Sequence, residues 1–312
     1  MGVPSLTELR GGGKAMLARA LAAIETEANS PALAALLDEA CASPRGHILG
    51  LTGTPGVGKS TLINALIARA RAANQTIAVI AVDPSSKATG GALLGDRARM
   101  TTNPDDKGVF VRSMAARDRL GGISNETIAA AVLMRALYDR VIVETVGIGQ
   151  SESDIAGIAD TVLLCIQPGA GDSLQFMKAG VMELPDVVAV TKSDMGAAAR
   201  RARADVEGAL GLSARGAWQA PVVMISATSG EGLDRLEETI DAHAAYLRED
   251  GRHEQKQRAQ QAAWVDEAIK ARFGSEGLEA SRGIDVPAQG PFSREAVLAE
   301  ALRKRLNPLT RQ

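Results

Sequence analysis

The stretch His47-Ile48-Leu49-Gly50-Leu51-Thr52-Gly53-Thr54-Pro55-Gly56-Val57-Gly58-Lys59-Ser60-Thr61 runs an apolar, strand-like segment straight into a glycine-rich loop. Gly53 to Thr61 fits the spacing G-x-x-x-x-G-K-[ST]; Ile63, Leu66, Ile67 and Ala70 then recur at helical intervals, with Asn74 placed to end the helix. Strand, loop and helix in this order make an anion cradle. The glycines let the loop backbone aim its N–H groups inward, and the helix N-terminus adds positive potential. The sequence therefore predicts a nucleoside triphosphate site built from Gly53, Thr54, Pro55, Gly56, Val57, Gly58, Lys59, Ser60 and Thr61. Lys59 is expected to bridge the β- and γ-phosphates during catalysis, and the Ser60 hydroxyl to ligate Mg²⁺.

The rest of the chain fits the same architecture. Predicted strands lie at His47–Leu51, Thr76–Val82, Val109–Arg112, Val141–Val143, Thr161–Ile166, Val187–Val190 and Val222–Ile225. They are β-branched, continuously apolar and separated by amphipathic segments, the pattern of a mostly parallel sheet covered by helices on both faces, hence an α/β fold. Ahead of it, Met16, Leu17, Ala20, Leu21 and Ile24 follow helical spacing after the flexible Gly11-Gly12-Gly13, and Ser30-Pro31 opens a second helix carrying Leu33, Leu36, Leu37 and Ala40. After Leu247 the chain becomes rich in charge and glutamine; Val265, Ile269 and Phe273 mark one helix, and Leu298, Ala301, Leu302 and Leu306 a shorter one beyond Ser293. Such helices cannot bury their stripes alone and are expected to pack on the main domain or on a second copy. The expected division is an N-terminal helical extension (1–45), a nucleotide-binding domain (46–247) and a C-terminal helical arm (248–312).

The 312 residues suggest one large or two ordinary domains, at roughly 150 residues each. With 46% hydrophobic and 23% charged residues and a net charge of −2, disordered and collagen-like classes are excluded, and a broad nucleic-acid or anionic-membrane surface is disfavoured. No apolar run suits a bilayer span, and Glu8, Arg10, Lys14 and Arg19 leave no room for a signal peptide, so a cytoplasmic protein is expected. Cys165 lies in an apolar run, where a buried thiol is the better reading than a bridge or ligand, and two cysteines favour a reducing compartment.

The base is predicted from two further strand ends. Val187–Val190 leads into Thr191-Lys192-Ser193-Asp194, close to the N-K-x-D of GTP-binding proteins. Asp194 can accept hydrogen bonds from guanine N1–H and N2–H₂, which adenine does not offer; at roughly 1.5–3 kcal/mol each, such bonds give a preference on the order of a hundredfold. Lys192 is expected along the base plane, and Ser226-Ala227-Thr228 to bring a backbone N–H to guanine O6. Thr191 departs from the usual asparagine, which bears on tightness of binding more than on the choice of base.

Glu144-Thr145-Val146-Gly147 follows the fourth strand, where many GTP-hydrolysing proteins carry D-x-x-G. Glu144 is expected to reach Mg²⁺ through water, and the Gly147 amide to sense the γ-phosphate. Ile148 follows where a water-orienting glutamine often stands, so slow intrinsic turnover is expected. Asp83 and Asp96 are candidates to hold the metal or the attacking water, with Gln150 a further one. Lys178, beyond the glycine-rich Gln167–Asp172, is a candidate to reach across to the switch. Arg112, Arg117 and Arg119 mark another loop, facing nucleotide or a partner.

The run Asp83-Pro84-Ser85-Ser86, the Arg112-Ser113…Leu120-Gly121-Gly122 loop and Glu144-Thr-Val-Gly-Ile-Gly-Gln-Ser-Glu152 together resemble the MeaB/ArgK-type GTPases, methylmalonyl-CoA mutase-associated members of the SIMIBI class of P-loop proteins. The resemblance implies a GTPase that serves as chaperone to an adenosylcobalamin-dependent acyl-CoA mutase, gating cofactor loading and protecting the mutase from inactivation. It further implies a homodimer with contacts through the C-terminal arms, nucleotide contacts at Gly53–Thr61, Asp194 and Ser226–Thr228, and a metal region at Ser60, Asp83, Asp96 and Glu144. A nickel-insertion GTPase is a rival reading, but His47, His243 and His253 look scattered and no CxxC occurs. An ATP-dependent partitioning relative would carry an early lysine where Thr54 stands. A kinase for basic amino acids, suggested by an older family label, has no acceptor site here. A nucleotide-dependent scaffold without turnover is the alternative from another class.

Overall fold

The β-branched runs assemble into one sheet in a computed structural model, which describes residues 2–27, 30–83, 103, 105–115, 123–145, 151–169, 184–213, 217–287 and 290–306. The strands are β1 (His47–Thr52), β2 (Ile77–Asp83), β3 (Val109–Ala115), β4 (Arg140–Glu144), β5 (Thr161–Ile166), β6 (Val187–Val190) and β7 (Val222–Met224). They lie in the order β3-β2-β4-β1-β5-β6-β7, every pair parallel. The helices are α1 (Leu6–Thr26), α2 (Pro31–Ala42), α3 (Lys59–Ala72), α4 (Asn125–Leu137), α5 (Ser151–Ala156), α6 (Ala197–Ser213), α7 (Leu233–Arg248), α8 (Arg252–Ser281) and α9 (Pro291–Leu306).

Successive strand residues point to opposite faces, and the core divides accordingly. Ile48, Ala78, Ile80, Val141 and Val143 pack under α1, α2, α4 and α5; Leu49, Leu51, Val79 and Ile142 pack under α3 and α7. Both faces are covered, so the strands need the continuous apolar runs seen in the sequence. The carboxyl ends of β1, β2 and β4, where the strand order reverses, lie side by side, the place where open parallel sheets bind ligands. Among the described residues no helix is long and apolar enough to cross a membrane.

Several boundaries differ from the sequence expectation. β2, β3 and β4 extend through Asp83, Ala115 and Glu144, polar or small residues that end an apolar run but still pair in the ladder, Asp83 with Ala115 and Ala81 with Glu144. β7 stops at Met224, although buried Ile225 still donates its N–H to Val190. The triglycine is not a lead-in to a helix. α1 already starts at Leu6 behind a capping box in which Ser5 and Glu8 bond each other's backbone N–H, and Gly13, with φ 67°, kinks it internally. Cys41 and Cys165 are buried free thiols, and burial pushes both up to about 12.

α8 and α9 pack on this same chain. Leu298, Ala299 and Leu302 of α9 meet Val265 and Ile269 of α8, whereas Leu306 is exposed, a correction to the predicted stripe. The α9 N-terminus sits on α2, where the Asp38 carboxylate accepts from Phe292 N (2.9 Å) and Ser293 N (3.1 Å).

The three histidines are not scattered in space. His47 Nε2 and His243 Nδ1 flank the Thr161 hydroxyl at 2.8 and 2.7 Å, and His253 Nε2 lies 2.9 Å from Asp160 Oδ1. They gather at the end of the sheet away from the glycine-rich loop, and among the described residues no group of three His, Cys, Asp or Glu is arranged to hold a metal. Burial would raise the Asp160 carboxyl, but the His253 hydrogen bond, the charges of His47 and Arg135 and the Ile48 N–H hold it down at about 2. Burial depresses His243 to about 4, outweighing nearby Asp186. Both shifts favour the fold at neutral pH. The His243 contribution is lost as pH falls from its ordinary value of about 6.5 towards 4, and the Asp160 contribution as pH falls from about 4 towards 2. The melting midpoint is therefore expected to fall between about pH 7 and pH 5, with a smaller fall in His243→Asn. Equal midpoints at both pH values would contradict this.

Candidate nucleotide site

The loop between β1 and α3 is shaped by glycines where no other residue fits. Gly53 takes φ 144°, and a Cβ there would lie 2.4 Å from the Cys165 carbonyl oxygen of β5. Gly58 caps α3 at φ 102°, a left-handed conformation costly to side-chain-bearing residues. Between them Val57 is fully buried and anchors the loop to the core. Lys59 is only 7% exposed; its Nζ donates to the Gly53 carbonyl at 2.7 Å and to that of Thr54 at 3.3 Å. The ammonium is thereby held over the mouth of the loop.

This loop opens onto a cavity of about 520 Å³ lined by Pro55, Gly56, Gly58, Lys59, Ser60, Thr61, Asn64, Ala81, Val82, Glu144 and Thr145. That volume suits a ligand of nucleotide phosphate size. Its walls come from the loop and helix that follow β1 and from the carboxyl ends of β2 and β4. Buried Glu144 closes β4, and Thr145 is fastened beside it by N–H donation to Leu51 O and by its hydroxyl to Thr52 Oγ1, both at 3.0 Å. Ser60 and Glu144 thus bring a hydroxyl and a carboxylate to one cavity, a hard oxygen donor set that suits Mg²⁺. The backbone of Asp83 ends β2, next to the lining residues Ala81 and Val82.

The second half of the site is assembled by β6 and β7. Thr191, 4% exposed, donates its hydroxyl to Val57 O at 2.8 Å and approaches Ile166 O at 3.2 Å. The residue that departs from the N-K-x-D pattern still ties the base loop to the phosphate loop. Lys192 adopts φ 56°, unusual for a residue with a side chain; its Nζ donates to Gly56 O (3.1 Å) and Gln167 Oε1 (2.6 Å). Asp194 stands exposed on the short turn Ser193–Met195. The two base loops are locked together: Ser193 N donates to Ile225 O, Ser226 N to Glu231 O, and the Ser193 hydroxyl to Glu231 Oε2, each at 2.9 Å. Ala227 and Thr228 follow on the adjoining turn.

The tertiary structure therefore gathers Gly53–Thr61, Glu144, Thr191, Lys192, Asp194 and Ser226–Thr228 along the carboxyl edge of the sheet. Asp96, Gly147, Gln150 and Lys178 lie outside the described residues, as do Arg117 and Arg119. Arg112 belongs to β3 and pairs with Glu25 of α1 at 2.7 Å, so its described partner is the N-terminal helix. Sequence reasoning missed Gln167 and Glu231 as supports of the base loop; their side chains carry no local signal, since they accept from Lys192 and Ser193, 25 and 38 positions away.

The model of a family described as methylmalonyl-CoA mutase-associated GTPase MeaB matches residues 17–281. A putative GTPase of Pyrococcus horikoshii is 44% identical over 234 residues, covering 72% of this chain and 71% of its own length. GTPase ArgK of Escherichia coli is 35% identical over 288 residues, 88% of this chain and 87% of that protein. A solved structure described as LAO/AO transport system kinase superposes with a TM-score of 0.69 at 28% identity, over 96% of both chains.

Proposed function

The chain belongs to the MeaB family of methylmalonyl-CoA mutase-associated GTPases, and from that premise we propose that it is a GTP-hydrolysing chaperone of an adenosylcobalamin-dependent acyl-CoA mutase of the methylmalonyl-CoA mutase type. In this reading it gates cofactor loading and protects the mutase from inactivation, working as a cytoplasmic homodimer. The observation that supports the nucleotide part is the pair of hydrogen bonds from Thr191 and Lys192 to Val57 O and Gly56 O, which brings the T-K-x-D turn up against the glycine-rich loop.

The chain's own residues divide the work. Lys59 and the loop amides neutralise the phosphates, the phosphate end being deeper than the base end. Asp194 accepts from the guanine edge, Lys192 lies along the base, and Ser226–Thr228 present a backbone N–H. Ser60 and Glu144 would hold Mg²⁺, with Asp83 and Asp96 as further carboxylates of the metal and water region; the ion, when bound, would supply charge neutralisation at the transferred phosphoryl group. Lys178 and Gly147 complete the response to the γ-phosphate. With Ile148 in the place of a glutamine, hydrolysis is slow until the partner completes the site.

Steady-state phosphate release from GTP, measured alone and with a methylmalonyl-CoA mutase added, tests this. Slow release that rises on adding the mutase is expected. Identical rates with and without it would refute the partner-stimulated chaperone, and rates at buffer background in both would leave only a scaffold.

A further inference from the structure

Two neighbouring strands end side by side at the base end of the site. β5 and β6 pair in parallel with Ile166 opposite Val190, so Gln167 and the Thr191-Lys192 pair leave the sheet together. Ile166 O accepts from Thr191 N at 2.8 Å and from the Thr191 hydroxyl at 3.2 Å. Buried Pro168 follows, with its φ fixed by the ring. Gln167 therefore stands on backbone held by the sheet on one side and by a proline on the other.

Its side chain meets a residue in a costly backbone conformation. Lys192 takes φ 56° and ψ 45°, the left-handed region that a Cβ disfavours. The Lys192 ammonium is fixed at two points, donating to Gly56 O of the phosphate loop at 3.1 Å and to Gln167 Oε1 at 2.6 Å. An ammonium only donates, so the carbonyl end of the Gln167 amide is the end that can face it. Gly56 lines the phosphate cavity, so the lysine spans from the end of β5 to that loop.

A lysine gives up much rotamer freedom when its head is fixed. Lys192 is exposed, and water competes with both of its acceptors. A base lying along the stem excludes that water, and the same two bonds then strengthen. Gly56 O belongs to the backbone, whereas Gln167 supplies its acceptor from a side chain.

We infer that Gln167 is a positioning residue for the purine base. It orders Lys192 in advance of binding and so sets the affinity for GTP and for GDP by the same factor, since it acts at the base end and meets no γ-phosphate. The choice of base stays with Asp194. The inference rests on the GTPase reading given above.

A double-substitution cycle in the full chain tests it: Gln167→Met, which keeps the side-chain length and removes the acceptor, Lys192→Met, and both together. Affinities for GDP and for a non-hydrolysable GTP analogue are measured by calorimetry with Mg²⁺, alongside the melting midpoint. Gln167→Met is expected to weaken both nucleotides on the order of fivefold, the size of one lost hydrogen bond, with their ratio held within about twofold. Added to Lys192→Met, the same substitution should change neither affinity by more than about twofold, and Gln167→Glu, which keeps an oxygen for the ammonium, should bind within about twofold of the unaltered chain. A residue that merely braced the loop would weaken binding as much without Lys192 as with it. Such additive losses, unaltered binding in Gln167→Met, a loss confined to one nucleotide, or a Gln167→Glu variant as weak as Gln167→Met overturns the inference. Should Gln167→Met fail to fold, Gln167→Ala, which leaves the Thr191 N–H on Ile166 O, enters the same cycle. If the unaltered chain binds no guanine nucleotide, the GTPase reading falls and takes the inference with it; additive losses in a chain that binds both nucleotides remove the inference alone.

Discussion

Lys59→Ala is expected to weaken GTP binding on the order of a hundredfold or more, and with it to abolish turnover. The ammonium sits 7% exposed at the deep end of the cavity, held by Gly53 O and Thr54 O, so a triphosphate meets it in a place where water screens little. Loop amides carry partial charges only. Without the lysine, two or more phosphate charges face a glycine-rich backbone whose carbonyls at Gly53 and Thr54 have also lost a donor. Calorimetric titration with GTP and Mg²⁺ reads the effect, and the melting midpoint of the variant separates lost binding from lost fold. Binding that stays in the micromolar range would contradict the role given to Lys59.

Asp194→Asn is expected to turn base preference away from guanine and towards xanthine. In the proposed site the carboxylate accepts from both N1–H and the N2 amino group of guanine; asparagine keeps one acceptor and places a donor against the other. Xanthine bears a carbonyl at C2, which that donor can satisfy. At roughly 1.5–3 kcal/mol for each hydrogen bond to a charged group, GTP affinity should fall on the order of a hundredfold while xanthosine triphosphate gains. Asp194 is exposed on its turn, so the substitution disturbs no packing, and the fold should melt as before. An unchanged ratio between the two triphosphates would remove the base assignment.

The phosphate loop was legible because its physics is local. Glycines at Gly53 and Gly58 adopt backbone angles other residues avoid, and Lys59 folds back on a carbonyl six residues earlier. The alternation of apolar runs and amphipathic helices announced the parallel sheet for an equally local reason: strands buried on both faces need no polar side. Strand ends were less legible, since Asp83 and Glu144 pair in the ladder through their backbone, whatever their side chains suggest.

Thr191 shows the opposite case. In the sequence it reads as a flaw in the guanine motif; in space its hydroxyl reaches Val57 O and Ile166 O. The three histidines likewise look unrelated along the chain, and only the apposition of β1, β5, α7 and α8 brings them to Asp160 and Thr161. Arg112 reads as a candidate for nucleotide or partner, and its described contact is with Glu25 on the N-terminal helix.

Sequence alone determined that this chain sets a glycine-rich G-x-x-x-x-G-K-S loop on a parallel sheet and a T-K-x-D turn at a later strand end, because each of those features is written in residues within a few positions of one another. Only the tertiary structure decided how the base loop is braced on the phosphate loop and that Gln260 of α8 donates to Ala156 O at the end of α5. Those hydrogen bonds join residues from 25 to more than a hundred positions apart, and no local pattern of side chains specifies a partner that the fold alone brings near.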